Sequence, residues 1–467
     1  MKNYLLPKSP GQYPWRLASV LYFCAWWPSL LFLRARFWDD WFVYFTTSQI
    51  EEKNWWSNEG FPPFVYDFQR ILLSRSPTRY HISSLIVYFL ISWLIFRILN
   101  KSGFFSSKTN TIISLLTLVL PINSARSAMI IFPYSLSMLL FFVAWNMLLS
   151  RSRYVSVGSM FVFMVSFYTW SMIPFFLLPI ANIVALEFNR RKKVDKFVIA
   201  KGGLIVLAPG YYLISRVVWP PAIERADYFT PQIGGVVRAA IFFAAALLFS
   251  YWVLFRRTAV FELEAARLLA VGSLCLAAGS VAYFASGRLV DLSEWLSFIV
   301  PRSSDWDSRS QLLHGLGLAL CLTGLIICID LKLRATAINV VFIACLLLNN
   351  SIMTGYYLDF LKQEAVIEAI SAEPLVSSSR VILIDDIAPA LNARGRGLRS
   401  YEWEGLILKS IGQHKQVITS SYIDCEVGLE IPDLLVTIES RRGRLKTMLM
   451  MNADIALRVK IIEPCAG

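Results

Sequence analysis

The chain has 467 residues, of which 56% are hydrophobic and only 16% are charged. Soluble proteins average about 25% charged residues, so the composition excludes an ordinary soluble enzyme and predicts a polytopic membrane protein. The formal net charge of +13 fits basic side chains in cytoplasmic loops and at lipid headgroups better than a nucleic-acid-binding surface.

The N-terminal stretch MKNYLLPKSPGQYPWR is polar and has no cleavage site after an early apolar core, so we expect the first apolar run to be retained as a helix. About eleven apolar stretches have the length that a spanning helix needs. The stretch around Ser171–Phe176 is interrupted by Pro174 and Pro179, and it is either a tight hairpin or a re-entrant element. The predicted spans are residues 16–34, 83–99, 109–125, 128–149, 154–170, 173–188, 197–216, 236–255, 266–286, 309–329 and 335–354.

Basic residues gather in alternate loops, and this alternation predicts the topology. The positive-inside tendency makes the basic face cytoplasmic, so the N-terminus lies inside and the C-terminus outside. The outer face then receives the long first loop, about residues 35–82, the loops from Val217 and Gly287, and the C-terminal tail. The basic clusters are Lys2, Lys8 and Arg16; Arg97, Lys101 and Lys108; Arg151 and Arg153; the run NRRKKVDK from Asn189; Arg256 and Arg257; and Lys332 with Arg334.

The C-terminal tail has the pattern of a small α/β domain. The β-branched runs RVILIDD, QVITS, DLLVTIES and LRVKIIE predict four strands, and YEWEGLILKSIG predicts an amphipathic helix. We therefore expect a mostly α chain, with a transmembrane domain over residues 1–355 and a periplasmic α/β domain over residues 356–467. Cys425 and Cys465 are candidates for a disulfide there, whereas the other five cysteines lie in apolar runs, where a thiol packs as a small hydrophobe.

Two adjacent carboxylates, Asp39 and Asp40, follow the first span within RARFWDDWFVYF. A charge pair in an aromatic belt at headgroup level is one interpretation. Adjacent side chains on a helix diverge by about 100°, however, so one of the two acids would point into a cleft. The amphipathic segment WWSNEGFPPFVYDFQR, which contains Asp67, would lie flat in the interface and roof a groove that is open to lipid.

Several arginines fall in the same outer loops, and a guanidinium binds phosphate through paired hydrogen bonds. A carboxylate, a roofed groove and outward arginines together indicate transfer of a sugar from a lipid phosphate. The carboxylate would take the proton of the acceptor hydroxyl, and arginine would stabilise the departing phosphate. The candidate phosphate ligands are Arg36, Arg126, Arg302 and Arg309, and the sequence does not select among them.

The run Trp38-Asp39-Asp40-Trp41 in the first outer loop, with many spans and an outer C-terminal domain, resembles the bacterial GT-C membrane glycosyltransferases. The resemblance implies that an acid of this pair acts as or supports the catalytic base. By position, Asp39 matches the leading acid and Asp40 its neighbour. It also implies a polyprenyl-phosphate sugar as donor, and substrate contacts from Trp38 and Trp41.

A second outer motif is PRSSDWDSRSQLLHG, residues 301–315, at the start of a late span. Asp305 and Asp307 are either helix caps or substrate ligands, and His314 is a further substrate candidate. Arg309 would lie about one turn inside the membrane face, where it is one candidate to hold the donor phosphate. In the C-terminal domain, Asp385 and Asp386 with the loop 392–399 form either a glycan site or a solvated surface.

The predicted function is an integral membrane glycosyltransferase, with the active site facing the periplasm of a bacterial inner membrane. It would add a hexosyl or pentosyl group to a cell-envelope glycan or lipid such as lipopolysaccharide, with inversion. The alternatives are an O-antigen-type polymerase or ligase, a lipid-linked oligosaccharide flippase or transporter, and a non-catalytic assembly protein. Mg²⁺ or Mn²⁺ held through water is an optional cofactor. The expected partners are membrane lipids, the donor's synthase and a flippase, with no nucleic acid.

Overall fold

The structure is a computed structural model that describes residues 12–45, 63–74, 76–150, 152–191, 233–255, 262–285, 311–419 and 432–462, with positions 203, 210, 214, 217 and 218. Most of the described chain is helical. The helices before the C-terminal sheet are α1 (Trp15–Trp26), α2 (Asp40–Phe45), α3 (Pro63–Leu73), α4 (Pro77–Ser102), α5 (Ser107–Val119), α6 (Phe132–Leu148), α7 (Arg153–Ser166), α8 (Leu177–Arg191), α9 (Ile233–Phe255), α10 (Leu263–Ala285), α11 (Gly315–Cys328) and α12 (Leu331–Ser371).

Six helical segments of the described chain are long and apolar enough to cross a bilayer, as expected of a polytopic membrane protein. They contain or closely match six of the predicted spans, those at 83–99, 128–149, 236–255, 266–286, 309–329 and 335–354. The six segments are Pro77–Ser102, Met129–Leu148, Ile233–Phe255, Leu263–Ala285, Gln311–Cys328 and Leu331–Ser371.

The other predicted spans differ from continuous helices, and the sequence explains why. Near Pro28 the first span changes from α1 to the 3-10 helix Trp27–Phe32. The predicted span 109–125 ends as α5 at Val119, and short 3-10 turns follow it. Around Pro174 the chain forms the 3-10 helix Trp170–Phe176, followed by α8. The span 154–170 is the shorter α7, and 197–216 lies largely outside the described residues.

Small residues bring α10 and α11 close together. A Cβ on Gly272 would lie 2.6 Å from the Cys321 sulfur, and one on Gly317 would lie 2.9 Å from the Gly272 carbonyl oxygen. Such contacts between backbones are typical of helix pairs in membranes. Cys24, Cys275, Cys321, Cys328 and Cys345 are free thiols, and Cys425 and Cys465 lie outside the described residues.

All four predicted strands are present at the C-terminus. They are β1 (Val381–Asp386), β2 (Gln416–Thr419), β3 (Leu434–Ser440) and β4 (Ile455–Ile461), in the sheet order β2-β1-β3-β4. β1 pairs in parallel with β2 and β3, and β4 is antiparallel to β3. The remaining helices are α13 (Pro374–Ser378), α14 (Ser400–Ile411) and α15 (Arg444–Met450).

Helix α12 joins the sheet to the apolar helices without a break. Its second half carries Val366 and Ile370, which share one buried core with Ile382 and Val436 of the sheet. The predicted boundary at residue 356 therefore falls inside a continuous helix of 41 residues. The C-terminal part also contacts the first loop, because the helix Ser400–Ile411 packs against α2, which Asp40 begins.

Candidate active site

A left-handed residue shapes the chain at the acid pair. Trp38 has φ of 50°, which is uncommon for a residue with a large side chain. Its backbone N–H donates to the Glu402 carboxylate at 3.1 Å, and its carbonyl accepts from the N–H of Trp41. A contact across 364 residues therefore holds the turn that separates Asp39 from Asp40.

Asp40 is buried and held by main-chain donors. Its carboxylate accepts from the N–H groups of Phe37 at 3.1 Å, Met129 at 3.0 Å and Ile130 at 3.0 Å. The last two belong to the turn that begins the Met129–Leu148 segment, where an anion is favoured. Burial nevertheless raises the pKa of Asp40 to about 7, and the three N–H donors counter only part of that rise. Asp40 therefore fastens the first loop to the start of this segment.

Asp39 is only partly buried, and its carboxylate accepts a hydrogen bond of 2.8 Å from the Tyr401 hydroxyl. Tyr401 lies on α14, so the donor comes from the C-terminal domain. Burial, followed by the charge of Asp39, raises the pKa of Tyr401 well above its ordinary value. The phenol thus stays protonated and remains a donor. Of the two acids, only Asp39 has an oxygen that accepts no hydrogen bond within the described chain, and only Asp39 is partly exposed.

A buried ionic cluster lies beside the acid pair. Arg396 donates to Asp359 of α12 at 3.2 Å and to both oxygens of Glu402 at 2.8 Å. Its guanidinium also lies 5.0 Å from the Trp38 ring centroid. Burial alone would lower the pKa of Arg396, but Glu402 and Asp359 raise it, so the charge is fixed. One arginine therefore joins α12, α14 and the Trp38 turn.

Trp41 packs inside the C-terminal domain. It is 1% exposed and belongs to the same core as Trp403 and Leu406. The absence of a side chain at Gly405 makes this possible, because a Cβ there would lie 2.4 Å from the Trp41 ring. The tryptophan predicted to contact substrate thus joins the first loop to α14.

Two of the predicted phosphate-binding arginines lie within the described residues. Arg36 stacks on Tyr44 at 4.3 Å and on Trp41 at 5.7 Å, and burial lowers its pKa. Arg126 is 7% exposed and lies over the Trp26 ring at 3.1 Å. Its Nη2 has no hydrogen-bond partner within the described chain.

Arg126 borders a small cavity of about 30 Å³ among the apolar helices. Asn123 and Tyr88 form the rest of its polar end, and the Asn123 amide donates to the Tyr88 hydroxyl. Most of the other lining side chains are apolar, including Phe142 and Leu316. At this volume the cavity has room for about two water molecules beside the Arg126 guanidinium.

Of the remaining predicted site residues, two lie within the described part of the chain and four lie outside it. His314 is buried between α10 and α11, and its ring nitrogen is 3.1 Å from the Ser280 hydroxyl. Asp67 is exposed on α3. Arg302, Asp305, Asp307 and Arg309 lie outside the described residues, so their roles stay predictions.

The second acid pair, Asp385 and Asp386, is tied into the fold. Asp386 accepts at 2.7 Å from the ammonium of Lys362, which is fully buried. The same ammonium donates to the Ala388 carbonyl and to the Asn392 side chain. The loop 392–399, predicted as a glycan site or a solvated surface, here supplies Asn392 and Arg396 to buried networks.

Sequence reasoning missed Tyr401, Glu402, Arg396, Asp359 and Lys362. The sequence contained one usable signal. Asp359 and Lys362 directly follow the apolar run of α12, and buried charges at that point need partners. Among the described residues, no group of three or more metal-ligating side chains comes together.

No family model matches the chain, and no curated protein matches it. Among solved structures, it is similar to the arabinofuranosyltransferase AftD from Mycobacteria, with 15% sequence identity and a TM-score of 0.38. The match covers 86% of this chain and 32% of AftD, so the chain spans about a third of the length of that protein.

Proposed function

We propose that this chain is an integral membrane glycosyltransferase that moves a sugar from a polyprenyl-phosphate carrier to a glycan or lipid of the bacterial cell envelope. The observation that carries the proposal is the asymmetry of the acid pair. Three main-chain donors occupy Asp40, whereas Asp39 is partly open and is oriented by Tyr401. Asp40 anchors the turn, and Asp39 is available for chemistry.

In this proposal Asp39 is the general base. It takes the proton of the acceptor hydroxyl while that oxygen attacks the anomeric carbon of the donor. The bond between that carbon and the phosphate oxygen breaks, and the configuration inverts. The polyprenyl phosphate leaves with the bonding electrons. The reaction would take place on the periplasmic side of the cytoplasmic membrane.

We propose Arg126 as the ligand of the donor phosphate. Its unused Nη2 supports this role, as does its position three residues before Met129, which Asp40 binds. A cation that need not reorganise stabilises the negative charge that develops on the leaving phosphate.

The test compares purified variants with a panel of prenyl-phosphoryl sugars as donors. We expect Asp39→Asn to lower transfer by about 10²- to 10⁴-fold without changing the unfolding temperature. Asp385→Asn is the matched control, because it alters one acid of the other adjacent aspartate pair, and we expect full activity. A folded Asp39→Asn variant with full activity would falsify the assignment.

The arginine is tested separately by donor binding. Arg126→Met keeps an unbranched side chain between Trp26 and Tyr88 but removes the charge. We expect its donor affinity to fall by about 10-fold or more, because charge-assisted hydrogen bonds contribute about 1.5–3 kcal/mol. Unchanged affinity would remove Arg126 from the phosphate site and leave the role of Asp39 intact.

A further inference from the structure

Helix α15 exposes large apolar side chains in an unusual arrangement. Thr447 is its one buried residue. Leu445 and Leu449 lie four residues apart on the opposite face, where they are 67% and 70% exposed. Met450 and Met451 extend the exposed apolar surface at the end of the helix. A contiguous apolar patch of this kind marks an interaction surface.

Basic side chains surround this patch. Arg441, Arg442, Arg444 and Lys446 fall within six residues, and no acidic residue occurs from 441 to 451. Only Arg442 has an acidic partner among the ion pairs of the described chain, Asp454 at 3.5 Å. Exposed leucines flanked by arginine and lysine are typical of helices that lie in a membrane interface.

The sheet topology turns α15 toward the membrane. The pair Lys362–Asp386 sets the C-terminal end of β1 beside the part of α12 that is nearer the apolar helices. β3 is parallel to β1, with Asp386 opposite Ile438, and β3 continues two residues further, to Ser440. Two strand residues add about 7 Å in that direction. α15 follows immediately.

The depth of α12 in the bilayer indicates how close α15 lies to the membrane surface. No charged residue occurs in α12 from Ala335 to Leu358, a stretch of roughly 36 Å at 1.5 Å per residue. A hydrocarbon core is about 30 Å thick, so Asp359 and Lys362 fall at headgroup level. α15 contacts α12. Nearer the start of α12, Val340, Ile343 and Leu347 are more than half exposed, as expected of side chains that face lipid.

We infer that α15 and its basic flank dock on the bilayer, with the arginines and lysine on anionic headgroups and the leucines among the outer acyl carbons. The occupant is a lipid surface rather than a protein because this end of the domain faces the membrane and because its charge complements anionic lipid. The docking fixes the C-terminal domain over the acid pair. It does not depend on the chain being a glycosyltransferase.

The test uses hydrogen exchange of the full chain in nanodiscs. One set contains phosphatidylcholine alone, and the other contains phosphatidylcholine with phosphatidylglycerol. We expect the amides of residues 444–451 to exchange about 5-fold or more slowly in the anionic nanodiscs, with α14 unchanged. The Leu445→Gln/Leu449→Gln variant should lose this protection, and Arg441→Gln/Arg444→Gln/Lys446→Gln should lose its dependence on anionic lipid.

Ile461→Gln is the matched control. Ile461 is 60% exposed, and it lies at the opposite end of the sheet, where it pairs with Leu434. We expect this variant to keep the protection of α15. Equal exchange of wild type and the leucine variant in both lipids would overturn the inference. Protection that follows protein concentration and not lipid charge would assign the patch to a protein partner and would also overturn it.

Discussion

Asp39 and Asp40 are neighbours in sequence with separate environments. Their adjacency on a helix predicts that the two side chains diverge. In the structure, main-chain N–H groups bind Asp40, and the Tyr401 hydroxyl binds Asp39. Sequence could not distinguish the two acids, because the deciding contacts come from residues 89 and 362 positions away.

The raised pKa of Asp40 predicts how stability depends on pH. Its unfolded pKa is the ordinary 3.8, and its folded pKa is about 7. Between these values the folded chain holds a proton that the unfolded chain has released, so the free energy of unfolding falls as pH rises from about 4 to about 7. We expect this fall in wild type and a flatter profile in Asp40→Asn, measured as unfolding temperature against pH in detergent.

A control variant and a second expected result complete the measurement of unfolding temperature against pH. Asp39→Asn is the control, and it should keep the slope of wild type. Asp40→Asn should also be less stable at pH 7 by roughly 1–3 kcal/mol, since its amide N–H₂ opposes main-chain donors. Parallel profiles for wild type and Asp40→Asn would contradict the assigned pKa.

At the scale of elements, local pattern was sufficient for the strands and for α14 but not for several spans. Alternating β-branched residues predict a strand, and apolar residues at a helical period predict a helix. The predicted spans 16–34 and 173–188 are equally apolar, yet their prolines introduce 3-10 turns. Hydrophobicity reports that a segment is buried, whereas backbone hydrogen bonding decides whether it is one helix.

Gly405 on α14 allows the closest approach between that helix and the first loop. We expect Gly405→Ala to destabilise the protein by roughly 1–3 kcal/mol, because the new methyl group overlaps the Trp41 ring. Alanine has a higher helix propensity than glycine, so without this overlap the substitution would stabilise α14. A loss of stability would therefore identify the contact with Trp41. Thermal unfolding measures it.

Gly397→Ala is the control, since a Cβ there meets no atom within 4 Å. We expect this variant to unfold near the wild-type temperature. If both alanine variants were equally stable, the contact between Trp41 and α14 would not be tight in solution.

At the scale of the whole molecule, the C-terminal domain and the apolar helices form one unit around the first loop. Trp41 lies in the domain's core, Asp39 binds its Tyr401, and Trp38 binds its Glu402. Sequence predicted the four strands and six of the long apolar helices. It could not predict that they share these residues, because no local pattern encodes a contact between the two ends of a chain.

A variant of Arg396 tests whether the two parts unfold as one unit. Arg396→Ala leaves the buried carboxylates of Asp359 and Glu402 without their cation, so we expect a loss of about 3–5 kcal/mol in unfolding free energy. Lys409→Ala breaks the more exposed pair with Glu364, and about 1 kcal/mol or less is expected for it. Similar losses in the two variants would show that the cluster adds no more than a surface pair.

The unbroken run of α12 has a mechanical consequence. It contains no proline over its 41 residues, so we expect it to be stiff. Its first half lies in lipid, and its second half packs against the sheet. A thinner bilayer makes a long apolar helix lean. Because Val366 and Ile370 of α12 share one core with the sheet, a lean of the helix would tilt the sheet and the Tyr401 phenol with it. Because the first loop is bound to α14 through Trp41 and Tyr401, the acid pair would move together with the sheet when the membrane becomes thinner.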